Sequence, residues 1–474
     1  MAPNQIRNPQ ASKKPKLSPQ QQEEASTTTS TTSTAVADAT TTTNVEEIFE
    51  LKYGEGITFR NEHSLLRLTV QRGCINIFGT EFKEGEIVEF KHSEKPFQVI
   101  GLNTHGDSQI CGIQIQHSSK DTISILNDPS YITFHQGLIE MFENISKQND
   151  HVRLLVVGPT DSGKSTICKI LFNHAMFSSS LRRICFFSDI DVGQNQVSLP
   201  GTMGLSEAVV LSSVGGGSSS SDENVNIYTK ELSVTHQAPL ELIPHKHVFY
   251  FGDISPKNTI YYNYICQRIY QKYESILKEN EQVHNINKSF LVMNTCGWVE
   301  GQGYSILLNT IKSCKITHVL SMDEQTFRCL QKDTAGSGVE IIYKQKSSQV
   351  KKRNSNFRKE TRNNSIMSYF SKPLNTLTLS LEDDIHLCMI DYKSQTSARA
   401  LNVSEKSLHR ICAVSTANSI DQVLNQEVFC FVVLEQFNAE KKTIKLLLPA
   451  SKDKKEIEKL PKPLFLLSGS VMFK

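Results

Sequence analysis

The sequence predicts a mixed α/β protein, with a central α/β domain between two small domains that contain mainly β-strands. Three observations support this prediction. Apolar strand-like runs alternate with helical runs in the middle of the chain, and short runs of alternating polarity come before and after them. With 474 residues, 38% of them hydrophobic, the chain is long enough for about two to four ordinary domains.

The N-terminal tail, residues 1–44, is predicted to be disordered because it is rich in Thr, Ser, Gln, Ala and Pro. It contains "KKPK", Lys13 to Lys16, which fits either a nuclear localisation signal or an ordinary basic cluster. A net charge of +2 predicts no global attraction to nucleic acid or membrane, so any basic site must be local. The sequence has no signal-like apolar segment and no apolar run of about 18 residues, which argues against secretion and against any membrane contact.

Three structured regions follow the tail. Residues 45–130 read as an N-terminal β-domain, because "LLRLTVQRGCINIFGTEFKEGEIVEF" alternates apolar and polar residues between probable glycine turns. Residues 131–375 combine buried strands with helices, which predicts a mainly parallel sheet covered on both faces. Residues 376–474 return to short β-like runs and predict a small C-terminal domain. The Gly/Ser-rich residues 215–224 are expected to form a flexible surface insertion.

The central domain contains the pattern G-x-x-x-x-G-K-[ST] between a predicted strand and a predicted helix. In this P-loop arrangement, glycines let backbone N–H groups surround phosphate oxygens at a helix N-terminus. Lys164 is expected to reach the β- and γ-phosphates of a nucleoside triphosphate, and Ser165 to bind Mg²⁺. The predicted nucleotide-binding residues of the loop are Gly158, Asp161, Ser162, Gly163, Lys164, Ser165 and Thr166.

The stretch "FFSDIDVGQ" places two carboxylates at the end of the second buried strand. A carboxylate there can hold Mg²⁺ or its water, or can accept a proton from a hydroxyl nucleophile. Asp189 fits either such a role or a cap at the strand end, whereas Asp191 is favoured as the functional group. Gln194 follows a glycine turn and can orient a substrate group or a water.

Two further features accompany the loop. Trp298, the single tryptophan, follows the strand-like "FLVMNT" and could stack on a nucleobase or simply pack in the core. The segment from Tyr343 to Arg362 is strongly basic, with Glu360 as its one acidic residue. Arg358 and Arg362 share a face if this segment is helical. They could stabilise charge over a triphosphate or bind nucleic-acid phosphates, and the segment could also be a solvated basic loop.

Together, these motifs resemble the Clp-type polynucleotide 5′-hydroxyl kinases, the family of a pre-mRNA cleavage-factor subunit and RNA kinase. The resemblance runs from about Phe49 to the C-terminus. It is carried by "GPTDSGKST", "DVGQ", "PGTMG", "NTCGWVEGQGY" and "NFRKETR". The family implies ATP- and Mg²⁺-dependent phosphorylation of RNA 5′-OH ends in the nucleus. It also implies partners in the mRNA cleavage and polyadenylation complex and a link to the tRNA splicing endonuclease.

The resemblance implies roles for individual residues. Lys164 acts on the phosphates, Ser165 on Mg²⁺, Asp191 is the general base, and Trp298 stacks on the terminal base of the substrate. From the residues themselves, Asp191 is also a predicted Mg²⁺ ligand and Gln194 a predicted substrate-binding residue. Arg358 and Arg362 act from a basic lid near residues 344–362. Glu55 and Lys95 fall where the family's N-terminal β-domain contacts the nucleotide. Some family members have lost kinase activity, so the alternative function is an ATP-bound scaffold subunit of the cleavage factor.

Overall fold

A computed structural model of the chain describes fourteen segments of it. They are residues 44–52, 55–60, 66–90, 97–102, 110–118, 122–126, 128–177, 183–209, 246–371, 375–391, 397–401, 407–449, 451–452 and 454–473. Residues 1–43, the predicted insertion 215–224 and Lys95 lie outside these segments, so the predictions made for them stay predictions.

The first described region forms two antiparallel sheets that face each other. One sheet has the strand order β1-β8-β3-β6 and the other the order β5-β4-β7-β2-β9. Alternate residues of these strands point into a shared apolar core, as the alternating sequence pattern predicts. The strands are β1 (Asn44–Lys52), β2 (Gly56–Arg60), β3 (Leu66–Arg72), β4 (Cys74–Ile77), β5 (Thr80–Lys83), β6 (Ile87–Phe90), β7 (Phe97–Leu102), β8 (Ile110–Ser118) and β9 (Thr122–Leu126).

A second region combines a mixed sheet with helices. Its first helix, α1, has an Asp128 N-cap and Pro129 in its first turn, and both features favour helix initiation. The strands are β10 (His151–Val157), β11 (Ile184–Asp189), β12 (Thr202–Val209), β13 (Lys246–Tyr250), β14 (Ser289–Asn294), β15 (His318–Ser321) and β16 (Glu340–Tyr343). The helices are α1 (Pro129–Gln148), α2 (Lys164–Phe177), α3 (Thr259–His284), α4 (Gln302–Ser313), α5 (Glu324–Asp333) and α6 (Ser355–Tyr369).

The strand order of this central sheet is β13-β12-β11-β14-β10-β15-β16. Strands β11, β14, β10, β15 and β16 pair in parallel with one another, whereas β12 pairs antiparallel with both β11 and β13. The mixed α/β architecture is therefore confirmed, with two antiparallel pairings at one edge of the sheet. The carboxyl ends of β11, β14 and β10 lie side by side, which is where ligands bind in α/β sheets.

The third region contains a seven-stranded sheet with the order β17-β22-β21-β20-β23-β18-β19. Its strands are β17 (Asn375–Ser380), β18 (Ile385–Asp391), β19 (Ser397–Ala400), β20 (Arg410–Ser415), β21 (Cys430–Asn438), β22 (Thr443–Leu448) and β23 (Leu464–Met472), and its helix is α7 (Lys454–Glu458). One face of this sheet joins the core of the central region, and the other face has a core of its own. Of the helices that the structure describes, none is long and apolar enough to cross a membrane.

Two of the described contacts between these regions involve helices α2 and α6. The turn between β4 and β5 rests on α2, where the amide of Asn173 donates to the carbonyl of Phe78 at 2.9 Å. Gly79 of this turn has a φ of +87°, and a methyl group there would lie 2.1 Å from the carbonyl oxygen of Ile170. At the end of α6, the hydroxyl of Tyr369 accepts a hydrogen bond from the backbone N–H of Phe431 in β21 at 3.0 Å. Helix α2 is thus covered by the first region and α6 is anchored to the third.

Candidate active site

The phosphate-binding loop connects β10 to α2 through residues with unusual backbone angles. Gly158 and Gly163 have φ values of +152° and +92°, and Asp161 has +56°. Glycine reaches these angles at little cost, and aspartate is among the residues that tolerate the left-handed region best. The first turn of α2 therefore begins directly behind the loop, with its free N–H groups facing the loop's concave side.

Lys164 is buried at the start of α2, and its ammonium group bonds to the loop itself. The Nζ atom donates to the carbonyl oxygens of Gly158 and Pro159, both at 2.9 Å. Burial lowers the pKa of Lys164, and the negative charge of Asp191 opposes that shift. The lysine is therefore held within the loop where phosphates would bind, and it can exchange carbonyl partners for phosphate oxygens.

The hydroxyl-bearing residues of the loop have different surroundings. Ser165 is partly buried, and its Oγ accepts a hydrogen bond of 3.3 Å from the side-chain amide of Asn294. Thr166 is exposed on the first turn of α2. The hydroxyl of Ser162 is buried without a hydrogen-bond partner in the described part of the chain. Ser165 is thus the loop hydroxyl that a neighbouring strand orients.

Asp189 ends β11 and is fully buried. Its carboxylate accepts hydrogen bonds from the backbone N–H groups of Asp191 at 2.9 Å and Gln196 at 2.9 Å, and from the amide of Asn294 at 3.2 Å. Burial raises the pKa of Asp189 well above its usual value, and the charge of Asp191 raises it further. Of the two roles left open by the sequence, Asp189 fulfils the capping role, because it organises the turn that presents Asp191.

Asp191 lies in that turn and is partly exposed. Its Oδ1 accepts hydrogen bonds from the backbone N–H groups of Gly193 at 2.8 Å and Gln194 at 3.2 Å. Burial raises the pKa of Asp191, whereas these two hydrogen bonds and the charges of Lys164 and Arg362 lower it. The carboxylate is therefore fixed in direction and more basic than an ordinary aspartate, as suits a group that accepts a proton.

Two further predicted residues lie near this turn and the neighbouring strand end. The side-chain nitrogen of Gln194 is buried and has no hydrogen-bond partner within the described segments. Trp298 follows β14 and is partly buried, and a methyl group added at Gly303 would lie 2.4 Å from its Cγ atom. The indole therefore rests against the start of α4, and Gln194 has a donor available for a ligand.

The predicted basic lid consists of an extended stretch followed by α6. Arg358 and Arg362 lie one turn apart on this helix, as their spacing predicts. A guanidinium nitrogen of Arg358 lies 3.3 Å from a carboxylate oxygen of Asp161. Burial lowers the pKa of Arg362, the charge of Arg358 lowers it further, and the charge of Asp191 opposes both effects. The structure thus brings Arg358 to the phosphate loop and Arg362 into electrostatic range of Asp191.

The structure does not test the two nucleotide contacts that were predicted from the N-terminal β-domain. Glu55 lies between β1 and β2, where its carboxylate accepts a 2.9 Å hydrogen bond from the backbone N–H of Lys52. The structure therefore places Glu55 in a local turn, and its predicted contact with nucleotide stays a prediction. Lys95 lies outside the described residues.

Sequence reasoning did not single out Asn294, although its amide joins Ser165 to Asp189. The available signal was a polar residue at the end of the buried strand "SFLVMN". Asn294 is fully buried, and its side-chain oxygen has no hydrogen-bond partner among the described atoms. A buried amide with one free oxygen is well placed to accept a hydrogen bond from a water or ligand beside Ser165.

Comparisons with known proteins point to the family that the motifs resemble. Residues 158–372 match the family model described as mRNA cleavage and polyadenylation factor CLP1 P-loop. The human polyribonucleotide 5′-hydroxyl-kinase Clp1 is 28% identical over 450 residues, which cover 90% of this chain and 96% of that protein. A CLP1 homolog from Brugia malayi is 26% identical over 444 residues, which cover 86% of this chain and 92% of the other.

The chain is thus similar to the Clp-type family in its P-loop region and, through these relatives, over most of its length. The resemblance seen in its motifs is thereby confirmed. A solved structure, that of a wild-type Clp1p–Pcf11p (454–563) complex, supports the same fold. It aligns with a TM-score of 0.66 at 15% identity and covers 90% of this chain and 98% of that one. At this identity the structural match shows the fold alone, while the sequence matches extend across all three regions.

Proposed function

We propose that the protein is a kinase that transfers the γ-phosphoryl group of ATP to the 5′-hydroxyl of RNA. The observation that carries this proposal is the placement of Asp191. Two backbone N–H groups fix its carboxylate, burial raises its pKa, and the charges of Lys164 and Arg362 act on it. A basic carboxylate next to a phosphate loop suits a hydroxyl acceptor. The names of relatives such as the human polyribonucleotide 5′-hydroxyl-kinase support an RNA 5′ end as that acceptor.

The residues of the site suit an in-line phosphoryl transfer. Asp191 accepts the proton of the 5′-hydroxyl as that oxygen bonds to the γ-phosphorus, and the bond from this phosphorus to the β–γ bridging oxygen breaks to release ADP. Lys164 exchanges its carbonyl partners for oxygens of the β- and γ-phosphates. Arg358 and Arg362 compensate the charge that spreads over the transferred group.

The oxygen donors of the site fit Mg²⁺. The hydroxyl of Ser165 and the carboxylate of Asp191 are hard oxygen ligands, and Mg²⁺ is usually held by one or two carboxylates together with substrate phosphates. Within the described segments, no group of three or more His, Cys, Asp or Glu residues forms a metal site on its own. Such an ion would neutralise charge on the β- and γ-phosphates, and Asn294 would keep the Ser165 hydroxyl in position.

The acceptor RNA is assigned to the side of the site that carries Trp298 and Gln194. The partly buried indole offers a face for stacking on the terminal base, which is worth about 1–3 kcal/mol per base in proteins that bind single strands. The amide nitrogen of Gln194, which has no hydrogen-bond partner among the described residues, offers a donor for a phosphate or ribose oxygen. The biological setting that we propose is the nucleus, in the mRNA cleavage and polyadenylation complex, with tRNA splicing as a further setting.

The direct test is the incubation of purified protein with Mg²⁺, γ-labelled ATP and RNA or DNA oligonucleotides that end in a 5′-hydroxyl. We expect label on the RNA 5′ end, and Asp191→Asn should abolish transfer while ATP binding persists. Tight ATP binding without transfer by the unmodified protein would instead favour the scaffold function. Transfer by Asp191→Asn at the normal rate would overturn the assignment of the base.

The lid arginines are tested separately. Arg358→Ala and Arg362→Ala should each lower kcat by about 10²–10³-fold, since removing one preorganised charge donor from a transition state has effects of this size. The affinity for RNA should change little. A loss confined to RNA affinity would instead identify the basic segment as a docking surface.

A further inference from the structure

A strap, residues 344–354, crosses the phosphate loop between β16 and α6. The strap carries five cationic side chains and no acidic residue. These cations are Lys344, Lys346, Lys351, Lys352 and Arg353. Because like charges repel and the strap has no regular secondary structure, its course has to be fixed by contacts with other elements. Two aspartates from elsewhere in the chain provide such contacts.

The first aspartate is Asp128, the N-cap of α1. One of its oxygens, Oδ2, accepts hydrogen bonds of 2.6 Å from the hydroxyl of Ser348 and 2.6 Å from the amide of Gln349. The other oxygen, Oδ1, accepts from the backbone and side chain of Ser130 and from the backbone of Tyr131. Oδ1 therefore caps the helix, and Oδ2 holds the strap. The side chains of Ser130, Ser348 and Gln349 keep the pKa of Asp128 well below its usual range.

The second aspartate is Asp161, within the phosphate loop. Its Oδ2 accepts hydrogen bonds from the backbone N–H of Arg353 at 3.0 Å and from Nη1 of Arg358 at 3.3 Å. The same Nη1 also donates to the carbonyl of Arg353 at 2.6 Å. Asp161 therefore closes a small ring of hydrogen bonds that joins the loop, the end of the strap and the first turn of α6.

Between these two aspartates the strap touches the loop directly. A methyl group added at Gly163 would lie 3.0 Å from a side-chain carbon of Val350. At the start of the strap, the ammonium of Lys344 lies beside Gly137 of α1, 3.0 Å from where a Cβ would be. Contacts therefore hold the strap on both sides of Gly163, the glycine that directly precedes Lys164.

We propose that Asp128 and Asp161 are positioning residues that clasp the strap over the phosphate loop and so place Arg358 and Arg362 at the reacting phosphate. This inference rests on the proposed phosphoryl transfer for its kinetic consequence. The prediction made above that Asp161 is a nucleotide-binding residue of the loop stays a prediction, whereas its side-chain Oδ2 is used by the strap and α6. Its role in the loop is therefore to hold the lid over the nucleotide.

The contacts of Asp128 and Asp161 with the strap are called the clasp below. The clasp predicts changes in kinetics that a general loss of stability would not give. Asp128→Asn keeps an oxygen for the helix cap but turns an N–H donor toward the donors Ser348 and Gln349. Asp161→Asn keeps a residue that tolerates a positive φ and removes the charge that faces Arg358. Each variant should slow phosphoryl transfer in a single turnover by about tenfold, because small misplacements of catalytic groups have effects of this order. Release of a fluorescent ADP analogue should become about fivefold faster, as expected of a lid that closes less tightly.

The matched control is Asp323→Asn. Asp323 also caps a helix, α5, where its carboxylate accepts from the backbone of Thr326 at 2.8 Å, and it has no described contact with the strap. This variant should behave like the unmodified protein in both assays. The double variant Asp128→Asn with Asp161→Asn should lose little more than the stronger single variant, because both act on one element.

Limited digestion with trypsin tests the clasp without any phosphoryl transfer. Cleavage after Lys346, Lys351, Lys352 or Arg353, mapped by mass spectrometry, should be several-fold faster in the two clasp variants than in Asp323→Asn. If the unmodified protein transfers no phosphate, the proposed function fails while this digestion still decides the clasp. Equal strap cleavage and equal ADP release in all variants would overturn the clasp, whatever the outcome of the kinase assay.

Discussion

Gly297 lies just beyond β14, where the chain passes directly over the phosphate loop. A methyl group at this position would meet three atoms of Thr160, namely Oγ1 at 2.3 Å, the backbone N at 2.5 Å and Cα at 2.6 Å. Ordinary contact begins near 3.4 Å, so the loop would have to retreat by roughly 1 Å. Two of the three atoms are backbone, which means that no rotation of a side chain can relieve the overlap.

The expected cost of Gly297→Ala follows from this geometry. Forcing an extra methyl group into a well-packed site costs about 1–3 kcal/mol. If the strain is relieved by displacing the loop, the same energy is lost from nucleotide binding. At 1.4 kcal/mol per factor of ten, the affinity for nucleotide should fall by roughly 5- to 100-fold.

The assay is isothermal titration calorimetry with ADP and Mg²⁺. The matched control is Gly112→Ala in β8, where the nearest atoms would lie at 3.6 Å and 3.7 Å, in ordinary contact. We expect the control to bind like the unmodified protein and Gly297→Ala to bind more weakly, with circular dichroism unchanged in both. If Gly297→Ala binds ADP within twofold of the unmodified protein, the loop is not held where the structure places it.

Two other predictions concern the packing of α2 and the charge of the base. Gly79→Ala and Gly85→Ala share the same cost of a left-handed backbone, about 1 kcal/mol, because their φ values are +87° and +84°. Only a methyl group at Gly79 would collide with Ile170. The thermal midpoint of Gly79→Ala, followed by near-ultraviolet circular dichroism, should therefore lie about 2–5 °C below that of Gly85→Ala. Equal midpoints of the two variants would contradict the docking of this turn on α2. For Asp191, the deprotonated form is active, so kcat should fall as the pH drops through its raised pKa. Arg362→Ala removes a charge that lowers this pKa, so the acidic limb of the pH–rate profile should move to higher pH, and a shift to lower pH would refute the electrostatic link.

Structural features formed by residues that are close in the sequence could be predicted from it. The phosphate loop is one example, because the strand, the glycine turn and the helix occupy consecutive residues from β10 to α2. The helical spacing of Arg358 and Arg362 was predictable for the same reason. Strand β12 was not predicted, because the run "TMGLSEAV" mixes glycine and polar residues although nearly all of its described side chains are buried.

Features that join distant parts of the chain could not be read in this way. The bond from Asn294 to Ser165 spans 129 positions, and the bond from Ser348 to Asp128 spans 220. Asn294 is marked only as a polar residue at the end of a buried strand, and nothing in the sequence indicates the partner in either pair. The sequence placed Asp161 among the nucleotide-binding residues of the loop, but it could not show that its side chain faces the strap, because the direction of a loop carboxylate depends on what packs above it.

The attachment of α6 to β21 makes the C-terminal end of this helix the point about which it can tilt. Its C-terminal end is fixed where Tyr369 meets Phe431, and Arg358 lies near the opposite end, where it contacts Asp161. At 1.5 Å per residue, Arg358 is roughly 16 Å from this pivot, so a tilt of about 10° would carry its guanidinium about 3 Å. A movement of that size equals the length of the contact with Asp161. A molecule whose binding tilts α6 by this angle would therefore separate Arg358 from Asp161.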